Sequence, residues 1–214
     1  MKKRVACLLL GALSQGAWAL DSACQQRLDN IQQRWAHIQY QLPAEQRAQA
    51  FEQLSDQALA FTQERQCAAP AWIWSGIVRS SWAGAQGGLG ALSNVKAARA
   101  DLEHALALDP KALQGSAYTS LGALYDRVPG WPIGFGDADK AEQLLKQALQ
   151  LNPDGIDSLY FWGDHLYRQK RYSEAKAALL KALQAAPRPG RETADNGRRK
   201  EIEALLVDVN AKLN

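Results

Sequence analysis

The chain is poor in the side chains that most often carry chemistry. It has three histidines, three cysteines and one methionine among 214 residues. His37, His104 and His165 stand far apart, and no H-x3-H spacing supplies a zinc pattern. No Glu-Ser dipeptide occurs, which removes the catalytic pair of the helical lyases that cut bacterial cell walls. The glycine-rich "GAQGGLG" neither follows a strand nor ends in the G-K-[ST] of a phosphate loop. Together these absences predict no metal, no cofactor and no enzyme activity. An excess of one charge is missing too. The chain counts 25 Lys+Arg against 22 Asp+Glu, and Lys2, Lys3 and Arg4 make up the surplus. The remainder is neutral, whereas nucleic-acid binding needs a basic patch on the folded domain. Finally, no apolar run reaches the roughly 20 residues that span a bilayer.

What is present begins with a targeting layout. "MKKRVACLLLGALSQGAWA" has a basic start, an apolar stretch and then Ala17-Trp18-Ala19. Residues 1–19 therefore read as a secretory signal peptide with cleavage expected after Ala19, and the mature chain as exported and soluble. Lipidation would need Leu three positions before a cysteine, and Asp21 holds that place before Cys24. Cleavage leaves two cysteines, Cys24 and Cys67, a natural disulfide candidate in an oxidising compartment. Unbridged, they would be two small buried thiols. Neither has a CxxC neighbour, which argues against redox catalysis. Around them, Leu28, Ile31, Trp35 and Ile38 recur at helical spacing, and so do Phe51, Leu54, Ala58 and Phe61. Residues 20–69 are thus expected to form an N-terminal helical hairpin that brings Cys24 towards Cys67.

A repeat follows. "AARADLEHALALDP", "KAEQLLKQALQLNP" and "EAKAALLKALQAAP" superpose on A-x3-L-x2-A-L-x3-P. Small residues at a fixed helical phase let two helices approach closely, leucines fill the seam, and the proline stops the helix. Pro153 and Pro187 stand 34 positions apart, the period of a tetratricopeptide repeat, and the motif fits its second helix. Gly163 in "GIDSLYFWGDHLYRQKRY" takes the small crossing position of the first helix, and Gly122 in "SAYTSLGALYDR" is its counterpart. The predicted fold is all-α: a tetratricopeptide-like helical-hairpin solenoid over residues 70–214, ending in a capping helix. That last helix carries Ile202, Leu205, Leu206 and Val209 on one face, with Arg198, Arg199 and Lys200 read as its solvated side.

Two turns depart from the plain repeat. The interval from Pro110 to Pro153 is 43 positions, and most of the excess falls at "VPGWPIGFG", residues 128–136. Asp137 reads as the N-cap of the helix after it. Upstream, "GAQGGLGALS" (84–93) enlarges another turn, with the next helix capped by Ser93 or starting near Asn94. Insertions on one edge of a solenoid commonly build a binding face.

The pieces "GGLGALS", "YTSLGALY", "VPGWPIGFGDADKAEQLLKQALQLNPDGID", "YFWGDHLY" and "RPGRETAD" carry a resemblance. From about residue 70 onward the chain resembles the TatT-type tetratricopeptide family associated with TRAP transporters. The resemblance implies a periplasmic, non-catalytic solenoid that binds a small ligand or the transporter's solute-binding protein. Family members can be lipidated and form ring-shaped homo-oligomers.

Candidate binding residues come from two patterns. The rings of Trp82, Trp131 and Phe135 sit in or beside the enlarged turns, where they either wall an apolar pocket or pin the loops to the scaffold. Trp72 and Phe161 read as core. Repeat register places Ser116, Thr119, Asp126 and Arg127 on one inner helix face and Asp157, Tyr160, Asp164, Tyr167 and Arg168 on the next, with Tyr118 on the first of these helices. Such a face suits a small apolar or organic-acid ligand, or a partner loop; otherwise it is a solvated face with local ion pairs. No Lys–Asn set is available there to clamp a peptide's terminal carboxylate. The alternative function is an envelope scaffold that joins proteins and holds no small ligand.

Overall fold

The structure, a computed structural model, describes residues 21–214 apart from Leu89. The expected signal peptide lies outside the described residues. Four helical hairpins follow one another: α1 (Ser22–Tyr40) with α2 (Ala44–Phe61), α3 (Ala68–Gln86) with α4 (Ala91–Leu108), α5 (Ser116–Arg127) with α6 (Ala138–Leu151), and α7 (Ile156–Arg168) with α8 (Tyr172–Leu183). A last helix, α9 (Glu192–Leu213), completes the chain. No strand occurs among the described residues. The fold is an all-α helical-repeat solenoid.

The repeat motif works through close helix crossings. A Cβ added at Gly76, Gly122 or Gly163 would meet Leu102, Leu145 or Leu179 at 2.6, 2.8 and 2.7 Å. Each glycine of a first helix thus seats the motif leucine of the second, and Ala98, Ala141 and Ala175, one turn earlier, are fully buried. Any larger residue at the crossing overpacks the seam, at about 1–3 kcal/mol. Asp137 caps α6 by accepting from the Lys140 amide at 3.0 Å.

The two unusual turns differ from one another. Residues 128–136 form a non-helical excursion between α5 and α6. The upstream 84–93 stretch does not: α3 runs to Gln86 and α4 starts at Ala91, ahead of both Ser93 and Asn94. The expected large loop is therefore only a short connection. Alanines on both sides favour helix, and Gly87, at φ 63, terminates α3.

Packing divides into two cores. Side chains from α1 to α5 build the first, so the N-terminal hairpin shares its core with the repeats; α7, α8 and most of α9 build the second. Cys24 and Cys67 are disulfide-bonded, tying the start of α1 to the start of α3.

The C-terminal helix is not a solvated cap. Ile202, Leu206 and Val209 pack into the second core, but Ala194, two turns earlier, belongs to the first. Gly197 lies against the ring of Tyr40, where any Cβ would collide with it. The Tyr40 hydroxyl donates to Glu201 at 3.3 Å, and Arg191 donates to Gln32 at 3.0 Å. The far end of the solenoid thereby returns to its beginning. Arg198 is buried at 8% exposure, and Arg199 donates to the carbonyls of Leu183, at the end of α8, and of Ala185 just after it. Of the three cations expected on the outside, only Lys200 is exposed.

The disulfide closes a separation of 43 residues, which on the chain-entropy model stabilises by about 4 kcal/mol. The Cys24→Ser/Cys67→Ser protein is expected to lose about that much unfolding free energy, read as a lower urea midpoint; an unchanged midpoint contradicts this.

Candidate functional site

Where α9 meets α1 it forms one side of a half-open cavity of about 1160 Å³. Small-molecule sites are usually roughly 300–1,000 Å³, mostly apolar, with a few convergent polar groups. Much of the wall fits that description: Trp35, Phe51, Trp74, Ile77, Val95 and Leu124 all line it. Trp35 has its indole N–H satisfied by Ser81 at 2.8 Å, so that ring presents no unpaired donor. Leu113 and Gln114, in left-handed backbone at φ 46 and 55, carry the chain from α4 to α5 along the same wall.

One side of the cavity is charged. Asp157 on α7 accepts from Arg188 and from Arg198, each at 2.8 Å. Arg188 also donates to Asp195 at 2.8 and 2.6 Å, and Arg198 pairs with Glu201. The Arg198 guanidinium lies 4.3 Å from the centre of the Tyr160 ring and 4.8 Å from that of Phe161. Burial alone would raise the Asp157 carboxyl, yet the charges of Arg198 and Arg188 hold it well below the usual carboxylate range. Burial alone would lower Arg198, but Asp157, Tyr40 and Glu201 push it up. Burial likewise raises the Tyr40 phenol, which stays neutral and able to donate. Asp157 and Arg198 therefore keep their charges near neutral pH.

Arg191 stands apart from that balance. It lines the cavity, donates from Nη1 to Gln32, and lies 5.2 Å from the centre of the Trp74 ring. No carboxylate pairs with it among the described residues. Burial, and then the charge of Arg188, push its pKa down.

The candidate residues named from the sequence scatter around this cavity. Tyr160 lines it. Asp164 and Arg168 form an adjacent ion network: Asp164 accepts from Arg127 at 2.6 and 3.1 Å and from Arg168 at 3.3 Å. Arg127 reaches the cavity wall, whereas Asp164 and Arg168 are not among its lining residues. Asp126 accepts from the buried His165 at 2.9 Å, so this histidine ties α7 to α5. Tyr167 packs near Tyr172 at 5.7 Å between ring centres. Trp82 and Tyr118 lie against the first core, as Trp72 does. Phe135 sits edge-on to Tyr125 at 5.3 Å, with Arg99 4.9 Å from its ring centre. Trp131 is 89% exposed and does not line the cavity. The inserted loop borders the cavity through Val128, Pro129 and Ile133 instead. Its rings face elsewhere: Phe135 packs on Tyr125 of α5, and Trp131 faces solvent.

The residues missed were Arg188, Arg191 and Arg198. The first two sit inside "RPGRETAD", and Arg198 reads from the sequence as part of a solvated face. Arg191, Ala194, Arg198 and Glu201 recur at helical spacing and all line the cavity, a stripe with a buried alanine at its centre that could have marked an inward face.

Among the described residues, no group of three or more His, Cys, Asp or Glu is placed to hold a metal ion. No helix there is long and apolar enough to cross a membrane. Residues 133–191 match a family model described as a tetratricopeptide repeat, so the chain contains tetratricopeptide repeat sequence. That match spans α6 to α8 and ends at Arg191. No curated protein matches the chain.

Asp157 gives a signed pH prediction. Its folded pKa is below the unfolded one, so its contribution is full above about pH 4 and falls away as acid protonates it. Asp157→Asn should cost about 1–2 kcal/mol at pH 7 after allowing for solvent screening of its partly exposed carboxylate. The gap to the unsubstituted protein should narrow below about pH 4 in urea melts. A gap independent of pH contradicts the assignment.

Proposed function

We propose that this chain is a non-catalytic periplasmic tetratricopeptide-repeat protein that binds a small ligand in the half-open cavity bordered by α9. The observation that carries this reading is the cavity itself, an aromatic-lined space with arginines fixed on one side. Open helical-repeat solenoids present concave surfaces to protein partners; a deep, aromatic-lined cavity of this size suits a small molecule. The Cys24–Cys67 bond is at home in an oxidising compartment, in keeping with the secretory leader. On the resemblance to TatT-type proteins, the partner that delivers or receives the ligand is a TRAP-type solute-binding protein, and the chain acts as its accessory.

A scaffold role is the second reading. Trp131 at 89% and Ile133 at 60% exposure stand out on one loop, as apolar anchors for another protein do. The two readings are compatible if the loop meets the partner while the cavity holds the guest.

Trp35 and Trp74 line the cavity whereas Trp131 does not, so fluorescence separates them. Titration with a panel of organic acids and neutral apolar compounds should give a saturable change in tryptophan emission. Ala123→Trp, which places a ring on the cavity wall, should weaken it by at least about tenfold, and Trp131→Ala should leave it unaltered. Silence across the panel contradicts ligand binding and leaves the scaffold reading.

A further inference from the structure

A guanidinium offers five N–H donors in a planar fork. Arg191 spends only Nη1 on the protein, in its bond to Gln32. Its Nε is buried and has no partner, and Nη2 makes no hydrogen bond among the described residues. These two atoms form one edge of the fork, the edge that takes both oxygens of a carboxylate in parallel. The neighbouring arginines cannot substitute, because Arg188 and Arg198 are committed to Asp157, Asp195 and Glu201. One unclaimed guanidinium calls for one negative charge. A phosphate monoester would bring nearly two, and the neighbouring Arg188 is already committed to Asp157 and Asp195.

The wall next to Arg191 describes the rest of the guest. Trp74 lies under the guanidinium, and from Trp74 the cavity face of α3 continues through Ile77 and Ser81 to Gly84. At 1.5 Å per residue that face runs about 15 Å, the length of a medium-chain acyl group. Phe51 and Val95 add apolar lining contributed by α2 and α4.

Resting on the reading of the cavity as a ligand site, we infer that the guest is a monocarboxylate with an extended apolar body, its carboxylate held on the Nε–Nη2 edge of Arg191. Burial and the charge of Arg188 lower the basicity of Arg191, against the opposing pull of Asp157 and Asp195. Nε is shielded by the protein, so seating the carboxylate includes a small turn of the guanidinium about its side-chain torsions. Gln32, itself 8% exposed, holds the opposite edge and limits that turn.

The test compares decanoate, decanol and decylammonium by calorimetry on the full mature chain. Decanoate should bind at least about tenfold more tightly than decanol, since the alcohol leaves Nε unpaired, and decylammonium should bind worst. Arg191→Gln should bring decanoate down to the level of decanol while decanol changes by less than about twofold, which also reports that the cavity is intact. Arg191→Lys keeps a point charge without the fork and should retain only part of the preference. Equal binding of acid and alcohol, or a full preference for the acid in either variant, overturns the Arg191 assignment and leaves the cavity reading standing. Binding of none of the three overturns both.

Discussion

The ring of Tyr40 occupies the space where Gly197 has no side chain, and this contact joins the last helix to the first. Stacked helical hairpins ordinarily leave both ends of a solenoid open. Here α9 leaves the second core partway along its length, inserts Ala194 into the first, and turns the stack into a closed body. The cavity, the burial of Arg198 and the isolation of Arg191 all depend on that return. With α9 displaced, the charged side of the cavity would be a wet groove, and its arginines would be ordinary surface cations.

The ion network bears on how the closure is aligned rather than on how strong it is. Buried ion pairs return little net stability, because desolvation offsets most of their attraction, yet removing one partner is costly. Asp157 on α7 is held by Arg188, just ahead of α9, and by Arg198 inside it. A slip of α9 by one turn would take Arg198 away from Asp157, while Arg188 and Arg198 would keep Asp195 and Glu201. We read this as the reason the helix stops where Gly197 meets Tyr40. The apolar seam of Ile202, Leu206 and Val209 supplies the attachment, since fully burying each such side chain gives about 1.5–3 kcal/mol.

Much of the scaffold was legible in the sequence, because local rules determine it. The A-x3-L-x2-A-L-x3-P motif and its paired glycines identified the hairpins, since each close crossing involves neighbouring helices. The pairing of Cys24 with Cys67 follows from counting the cysteines left outside the leader-like segment. The closure was not legible. Tyr40 and Glu201 lie 161 residues apart, and helical periodicity says which face is apolar without saying which distant helix covers it. That is also why Arg198 was assigned to solvent. Among the candidate ligand residues, Tyr160 reached the cavity because repeat register fixes inner faces. Trp131 did not, because loop residues have no register to fix them, and an aromatic in a proline-rich turn can point either way. The short link at 87–90 was misjudged because its glycines outweighed the alanines that extend α3 and α4.

The central claim is that α9 rests on α1 in solution. Spin labels at Gln33 and Glu203, both exposed, with the native disulfide intact, report the separation of these helices directly. A single narrow distance distribution that Gly197→Leu broadens and lengthens is the predicted result. A broad distribution in the otherwise unaltered protein, insensitive to that substitution, would mean an open solenoid and no cavity bordered by α9.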